Sequence, residues 1–138
     1  MDSNVYLSAV VFSPRIKEMI HYILDKPEMT VVITDYVLGE VKRNMVTKWP
    51  HKMEEWQDLR MLLFDSEHEY VDIEDLRQMD LSKAPVIRDS KDQPVVYFGM
   101  LTKPDILLTG DKDFQDDHIK EALPIMKPAE FRIKYMGE

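Results

Sequence analysis

Four carboxylates stand at positions where their chemistry could be shared. Asp2 lies in Asp-Ser-Asn-Val, Glu40 in Leu-Gly-Glu-Val, Asp92 in Lys-Asp-Gln-Pro and Asp111 in Thr-Gly-Asp-Lys-Asp-Phe. Each sits where an apolar run gives way to a loop or a helix start, or about one turn inside a helix. If folding gathers them, they form a pocket of oxygen ligands. The chain has no cysteine, and His21, His51, His68 and His118 show no ligand spacing and read as surface residues. Oxygen-only ligands suit hard divalent ions such as magnesium or manganese. Two carboxylates about 5 Å apart repel by about 3 kcal/mol at an effective dielectric near 20. A fold that gathers several is therefore arranged for a cation or a proton. Such an ion polarises a phosphodiester oxygen and orients or deprotonates a water, the two requirements for cutting a nucleic-acid backbone.

The elements that must hold these acids can be read from spacing. Ser13-Pro14 starts a helix, with Ile16, Met19, Ile20, Ile23 and Leu24 as its apolar stripe and Lys26-Pro27 as its end. Met29–Ile33 reads as a buried strand. Thr34 caps a helix that runs to about Thr47 and carries Glu40, and a further helix covers roughly His51–Phe64. Glu69–Ile73 alternates as a half-exposed strand. The stretch 75–89 is the least legible, with a short helical turn followed by Pro85-Val86-Ile87. Asp92-Gln93-Pro94 opens a helix through Leu101, with Asp92 at its positive end. Ile106–Leu108 is a strand, and Thr109-Gly110-Asp111 turns off its carboxyl end. A brief helix over 117–122, a strand over 123–126 and a helical tail over 129–135 complete the chain. Strands alternate with helices, so the expected fold class is α/β: parallel strands with helices on both faces, in one domain spanning residues 1–138. Ligands of such sheets sit beyond the carboxyl ends of the strands, where Asp111 is placed.

Composition limits the partners. No stretch approaches the ~20 apolar residues of a membrane span. No basic-then-apolar leader is visible, and with no cysteine the chain is expected to be cytoplasmic. Eighteen basic residues against 26 acidic ones give a net charge of −8, which argues against indiscriminate nucleic-acid binding. Basic residues cluster locally, however. One cluster is Lys42, Arg43, Lys48 and Lys52, and Arg88, Lys91 and Lys112 lie close to the candidate acids.

Taken together the motifs resemble the PIN-domain family, the nuclease fold of VapC-type toxins. Asp2-Ser3-Asn4-Val5, continued by Leu7-Ser8-Ala9, resembles its opening Asp-Thr-Asn-hydrophobic motif. Thr34-Asp35-Tyr36-Val37-Leu38-Gly39-Glu40-Val41 resembles the segment that brings the second acid on a helix. Asp89-Ser90-Lys91-Asp92-Gln93-Pro94 and Leu108-Thr109-Gly110-Asp111-Lys112-Asp113-Phe114 resemble the third and fourth acid motifs, and Ile125–Phe131 matches the tail in character. The resemblance implies a PIN-like three-layer α/β/α sandwich with a small, mostly parallel sheet. It also implies that Asp2, Glu40, Asp92 and Asp111 hold magnesium or manganese, with Asn4, Thr109, Asp89 and Asp113 in support. The implied activity is endonucleolytic cleavage of single-stranded RNA, in the toxin of a toxin–antitoxin pair whose antitoxin blocks the site. Lys42, Arg43, Lys91 and Lys112 are the candidates to hold RNA. In the family a strand precedes the first acid at the centre of the sheet. Here only Met1 stands before Asp2, so either that first strand is truncated or Val5–Phe12 is used differently.

The alternative is a catalytically inactive PIN-fold module that binds a protein partner. A phosphate-transferring enzyme would need a second acid just after Asp2, which Asp2-Ser3-Asn4 lacks. Trp49, Trp56 and Tyr97 are more aromatic surface than one core requires, which points to a homodimer.

Overall fold

A computed structural model describes all 138 residues. Asp2 leads directly into helix α1 (Ser3–Leu7), which runs on as a π-helical turn over Ser8–Phe12. The apolar run Val5–Phe12 is therefore helical, and it buries Val5, Tyr6, Leu7 and Ala9. Helix α2 (Pro14–Leu24) begins as its sequence dictates. The Ser13 hydroxyl accepts from the Ile16 N–H at 3.2 Å, and Pro14 occupies the first turn, where no backbone N–H is missed. Its stripe buries Met19, Ile20 and Ile23.

Strand β1 (Val31–Thr34) feeds helix α3 (Asp35–Lys48), which Thr34 caps by accepting from the Val37 N–H at 3.1 Å. Val37, Leu38, Val41 and Met45 form its buried face. After a 3-10 turn at Pro50–Lys52 comes helix α4 (Met53–Asp65), which buries Trp56, Leu59 and Leu63. Strand β2 (His68–Val71) ends where Asp72 and Asp75 make a reciprocal capping box on a 3-10 segment, Ile73–Gln78. That cap takes Ile73 out of the strand. An irregular stretch follows, in which the Ile87 N–H is held by Gln93 Oε1 at 3.0 Å.

A 3-10 turn, Ser90–Asp92, opens helix α5 (Gln93–Thr102), which stops at Lys103 in a left-handed conformation with φ 47°. Strand β3 (Leu107–Leu108) is followed by a 3-10 turn at Lys112–Gln115, helix α6 (Asp117–Ala122), strand β4 (Ile125–Met126) and helix α7 (Pro128–Met136). Helix α5 lies very close to the second strand pair. A Cβ on Gly99 would stand 3.0 Å from Leu123 Cδ2 and 3.2 Å from Leu107 Cδ1.

The fold is thus mixed α/β with parallel strands, but the strands do not form one sheet. β1 pairs with β2, Val31 opposite His68 through Thr34 opposite Val71, and β3 pairs with β4, Leu107 opposite Ile125 and Leu108 opposite Met126. The strand expected over 123–126 is reduced to two residues, because Leu123 is spent closing α6. No helix is long and apolar enough to cross a membrane.

Two expectations about the surface are corrected. Trp56 is in the core, edge-on to Tyr6 at 6.0 Å, Trp49 stacks edge-on with Phe12 at 5.2 Å, and Tyr97 packs on the small cluster of Val71, Leu76 and Phe98. Those three aromatics have partners within the chain and give no argument for a dimer. His21 and His68 are half-buried rather than on the surface, and His68 Nδ1 lies 2.8 Å from the Ser66 carbonyl.

Candidate metal centre

Each acid is delivered by a short local device. Asp2 caps α1: one carboxylate oxygen accepts from the Val5 N–H at 3.1 Å, and the other accepts from the Thr109 hydroxyl. Its own N–H donates to the Leu108 carbonyl at 3.2 Å, tying the start of the chain to the end of β3. Glu40 lies just over one turn into α3, and the Ser3 hydroxyl donates to its Oε1. Thr109, fully buried, serves two acids at once, because its Oγ1 also accepts from the Asp111 N–H at 3.1 Å. Asp111 in turn caps the 3-10 turn after it, accepting from the Asp113 N–H at 2.9 Å. Asp89 caps the turn before α5 through the Lys91 N–H at 3.0 Å.

Asp92 differs from the others. It occupies the cap position of α5 but makes no capping hydrogen bond, and its Oδ2 is buried without a partner. Burial, and then the charges of Asp111, Asp89, Asp2 and Glu40 in that order, push its carboxyl up to about 7. The four principal acids and Asp89 therefore share one electrostatic neighbourhood centred on Asp92. Asp2 is raised as well, mainly by burial. The hydrogen bonds from Thr109 and Val5 oppose that rise, and the charge of Asp111 adds to it.

The tightest convergence is not the set that the sequence ranked first. One oxygen each from Asp89, Asp92 and Asp113 lie within 4.8 Å of one another. Asp113, read as a supporting residue, is buried and held by Arg88, whose Nε is 2.7 Å from Oδ1 and Nη2 is 3.3 Å from Oδ2. Asp89 and Asp113 thus stand closer to Asp92 than their supporting rank implies, while Asp2, Glu40 and Asp111 surround it as charges. Three carboxylate oxygens at that spacing, from a group in which Asp92 also keeps a buried oxygen without a partner, match the donor chemistry of a hard divalent ion.

The remaining candidates lie around this group. Asn4 is exposed on α1 and makes no side-chain hydrogen bond. Lys42, Arg43, Lys91 and Lys112 are all exposed. Arg43 turns back along α3, so that its Nη1 would be 3.3 Å from a Cβ on Gly39. Three positioning residues escaped the sequence reading. Ser3 orients Glu40, Tyr36 donates its hydroxyl to the Lys91 carbonyl and so fixes the turn that carries Asp92, and Gln115 Nε2 donates to the carbonyls of Thr109 and Asp111, at 3.3 Å each. Tyr36 could have been found from its spacing: it lies one helical turn before Glu40, on the same face of α3. Ser3 and Gln115 have no such signal.

No family model, no curated protein and no solved structure matches this chain.

Proposed function

We propose that this protein is a metal-dependent endoribonuclease with a PIN-like α/β/α fold, cutting single-stranded RNA as the toxin of a toxin–antitoxin pair. The observation that carries the reading is the gathering of acids around Asp92. One oxygen each of Asp89 and Asp113 lies within 4.8 Å of one of Asp92, and Asp2, Glu40 and Asp111 act on it as charges. Keeping so many like charges together costs free energy that a bound cation offsets.

Asp89, Asp92 and Asp113 would hold magnesium or manganese, with Asp2, Glu40 and Asp111 facing it directly or through water. When bound, the ion supplies Lewis acidity toward the phosphodiester and an acidified water. The chain's own groups do the rest. Thr109 and Ser3 fix the carboxylates of Asp2 and Glu40, and Arg88 orients Asp113. Asp92, whose carboxyl is pushed up to about 7 in the metal-free protein, would give up its proton as the ion binds. Lys91, Lys112 and Arg43 offer cations to backbone phosphates beside the acids.

The test is cleavage of a single-stranded RNA oligonucleotide by the purified protein with magnesium or manganese. Cleavage is expected to stop with EDTA and to fall by at least about a hundredfold in Asp92→Asn. Full activity of that variant would refute the assignment.

One observation favours the second reading, a non-catalytic interaction module. Phe12, stacked edge-on with Trp49, is 65% exposed, and Val46 is 54% exposed, apolar surface that a protein partner could cover. Under that reading a partner binds stably and calorimetry detects no metal.

A further inference from the structure

Arg88 combines two properties that pull against each other. Its side chain is 81% exposed, yet both oxygens of the buried Asp113 hold it, Nε donating to Oδ1 at 2.7 Å and Nη2 to Oδ2 at 3.3 Å. An exposed arginine ordinarily keeps its rotamer freedom. Here that freedom is given up beside the acidic group, because Asp113 converges with Asp89 and Asp92. The main chain leading to Arg88 is fixed as well, although it belongs to the irregular stretch before α5. Gln93 Nε2 donates to the Pro85 carbonyl at 2.9 Å, and Gln93 Oε1 accepts from the Ile87 N–H at 3.0 Å. His118 Nε2 lies 2.7 Å from the Val86 carbonyl oxygen, and the Ile87 side chain is buried. Each of the three residues before Arg88 is thus tied to α5 or α6.

The mode of pairing leaves a particular edge free. A guanidinium offers one pair of parallel donors along Nε and Nη2 and another along Nη1 and Nη2. Asp113 takes the first pair. Nη1 bonds to no group of the protein and one N–H of Nη2 is spare, so the second pair is open. That fork fits two oxygens of a phosphate as well as it fits a carboxylate. Asp113 is not exhausted either, since a carboxylate has about four lone-pair sites and Arg88 uses two of them. By contrast, the side chains of Lys42, Arg43, Lys91 and Lys112 are exposed and make no ion pair, so each would have to be ordered on binding.

Charge decides when that edge is usable. With Asp89, Asp92 and Asp113 ionised, the carboxylates outnumber the single guanidinium, so an anion is repelled from the empty group, and a dication removes the excess. We infer that Arg88 grips the two non-bridging oxygens of an RNA phosphodiester beside the acidic centre, through its Nη1 and Nη2, with Asp113 as the brace that aims it. The dependence between the two side chains therefore runs both ways: Arg88 orients Asp113, and Asp113 holds Arg88 in the one arrangement that presents its free edge. The inference rests on the nuclease reading for its substrate and on the Asp113 pairing for its geometry.

The test measures binding apart from cleavage. A dye-labelled single-stranded RNA oligonucleotide is titrated with the full chain at several salt concentrations, in saturating calcium, a hard cation that takes the same oxygen ligands. Arg88→Gln keeps a donor for Asp113 but has neither the charge nor the fork. It is expected to weaken binding about tenfold or more and to reduce the salt slope by about 0.7, the value of one single-strand phosphate contact. Arg88→Lys keeps the charge and lacks the fork, so it is expected to restore the slope but only part of the affinity. Arg77→Gln is the control, because Arg77 is 76% exposed and paired with Glu74 at 3.0 Å, outside the acidic group. Its binding and slope are expected to match the wild type. Wild-type binding by Arg88→Gln, or an equal loss in Arg77→Gln, would overturn the inference. So would a fall in manganese affinity, measured by calorimetry without RNA, as large as the fall in RNA affinity, since Arg88 would then act only through Asp113.

Cleavage in magnesium separates the two readings. A wild type that binds RNA with an Arg88-dependent slope but cuts none refutes the nuclease and supports the phosphate contact. A wild type that cuts RNA, with slope and KM unchanged in Arg88→Gln, refutes the contact and leaves the nuclease standing. A wild type that neither binds nor cuts RNA refutes both.

Discussion

The titration of Asp92 tests the candidate centre most directly. Its carboxyl moves from the ordinary 3.8 to about 7, first through burial and then through Asp111, Asp89, Asp2 and Glu40. Unscreened, a rise of about three units is worth about 4 kcal/mol. Asp92 is only half-buried, so solvent screening reduces this to about 1–2 kcal/mol. The sign follows from linkage. The folded state holds this proton more tightly than the unfolded state, so the contribution is complete below about pH 4 and lost as pH rises through about 7. Without metal, the protein is therefore expected to lose about 1–2 kcal/mol over that window, at roughly 4 °C of melting temperature per kcal/mol.

Asp92→Asn is uncharged throughout, so this decline should be absent and the metal-free variant should melt higher than the wild type near pH 8. A bound dication reverses the balance by favouring the carboxylate. Magnesium or manganese should therefore pull the Asp92 midpoint back toward the usual carboxylate range and remove the wild-type decline. The assay is the carboxyl-carbon NMR shift of Asp92 followed across the acidic and neutral range, with and without magnesium. A midpoint near 3.8 in the metal-free protein, or one that magnesium leaves unmoved, would refute the reasoning.

Other substitutions probe the supports. Asp113→Asn removes a ligand candidate and the partner of Arg88. The Arg88 side chain is 81% exposed, so the ion pair contributes under about 1 kcal/mol, whereas manganese affinity measured by calorimetry should fall about tenfold or more. Thr109→Val deletes the donor to Asp2 and the acceptor of the Asp111 N–H at a fully buried position. It should cost about 1–3 kcal/mol in urea unfolding and raise the Asp2 titration further. Gly99→Ala forces a methyl to 3.0 Å from Leu123 and 3.2 Å from Leu107, which overpacks the contact of α5 with the second strand pair. A loss of about 1–3 kcal/mol is expected in the same assay, and a neutral result would mean that Leu123 yields freely.

What could be read from sequence, and what could not, divides along the range of the interaction. Helices α2 to α5 were legible because caps and stripes act within a few residues: Ser13 and Thr34 cap where expected, and Met19, Ile20 and Ile23 are buried as their spacing requires. Val5–Phe12 was ambiguous, since a short apolar run suits a strand or a buried helix, and the cap at Asp2 together with the packing of Tyr6 on Trp56 decided for helix. Strand ends shifted by one or two residues, at Asp72 because a cap competed. The acids themselves were legible from the turns that carry them. Their ranking was not, because Arg88 meets Asp113 across 25 residues and Ser3 meets Glu40 across 37, and pairs at that distance leave no local trace.

The division of labour among the acids explains how such a site folds before any ion arrives. Asp2, Asp89 and Asp111 each spend an oxygen on a backbone N–H, so their geometry is fixed by the turns they cap. Glu40 and Asp113 are steadied by Ser3 and Arg88. Asp92 alone, of the acids in this group, has a buried oxygen with no partner, and its carboxyl is pushed up to about 7. Burial and the repulsion left over from caps and ion pairs thus meet at Asp92, where a proton can relieve them in the empty protein and a dication in the loaded one. On this account removing metal leaves the fold intact and moves one titration. Replacing a capping acid such as Asp111 by Asn keeps an acceptor for the turn while weakening the field at Asp92, so Asp111→Asn is expected to fold normally and to lower the Asp92 midpoint in the metal-free protein. An unchanged midpoint in that variant would show that the charge of Asp111 does not act on Asp92.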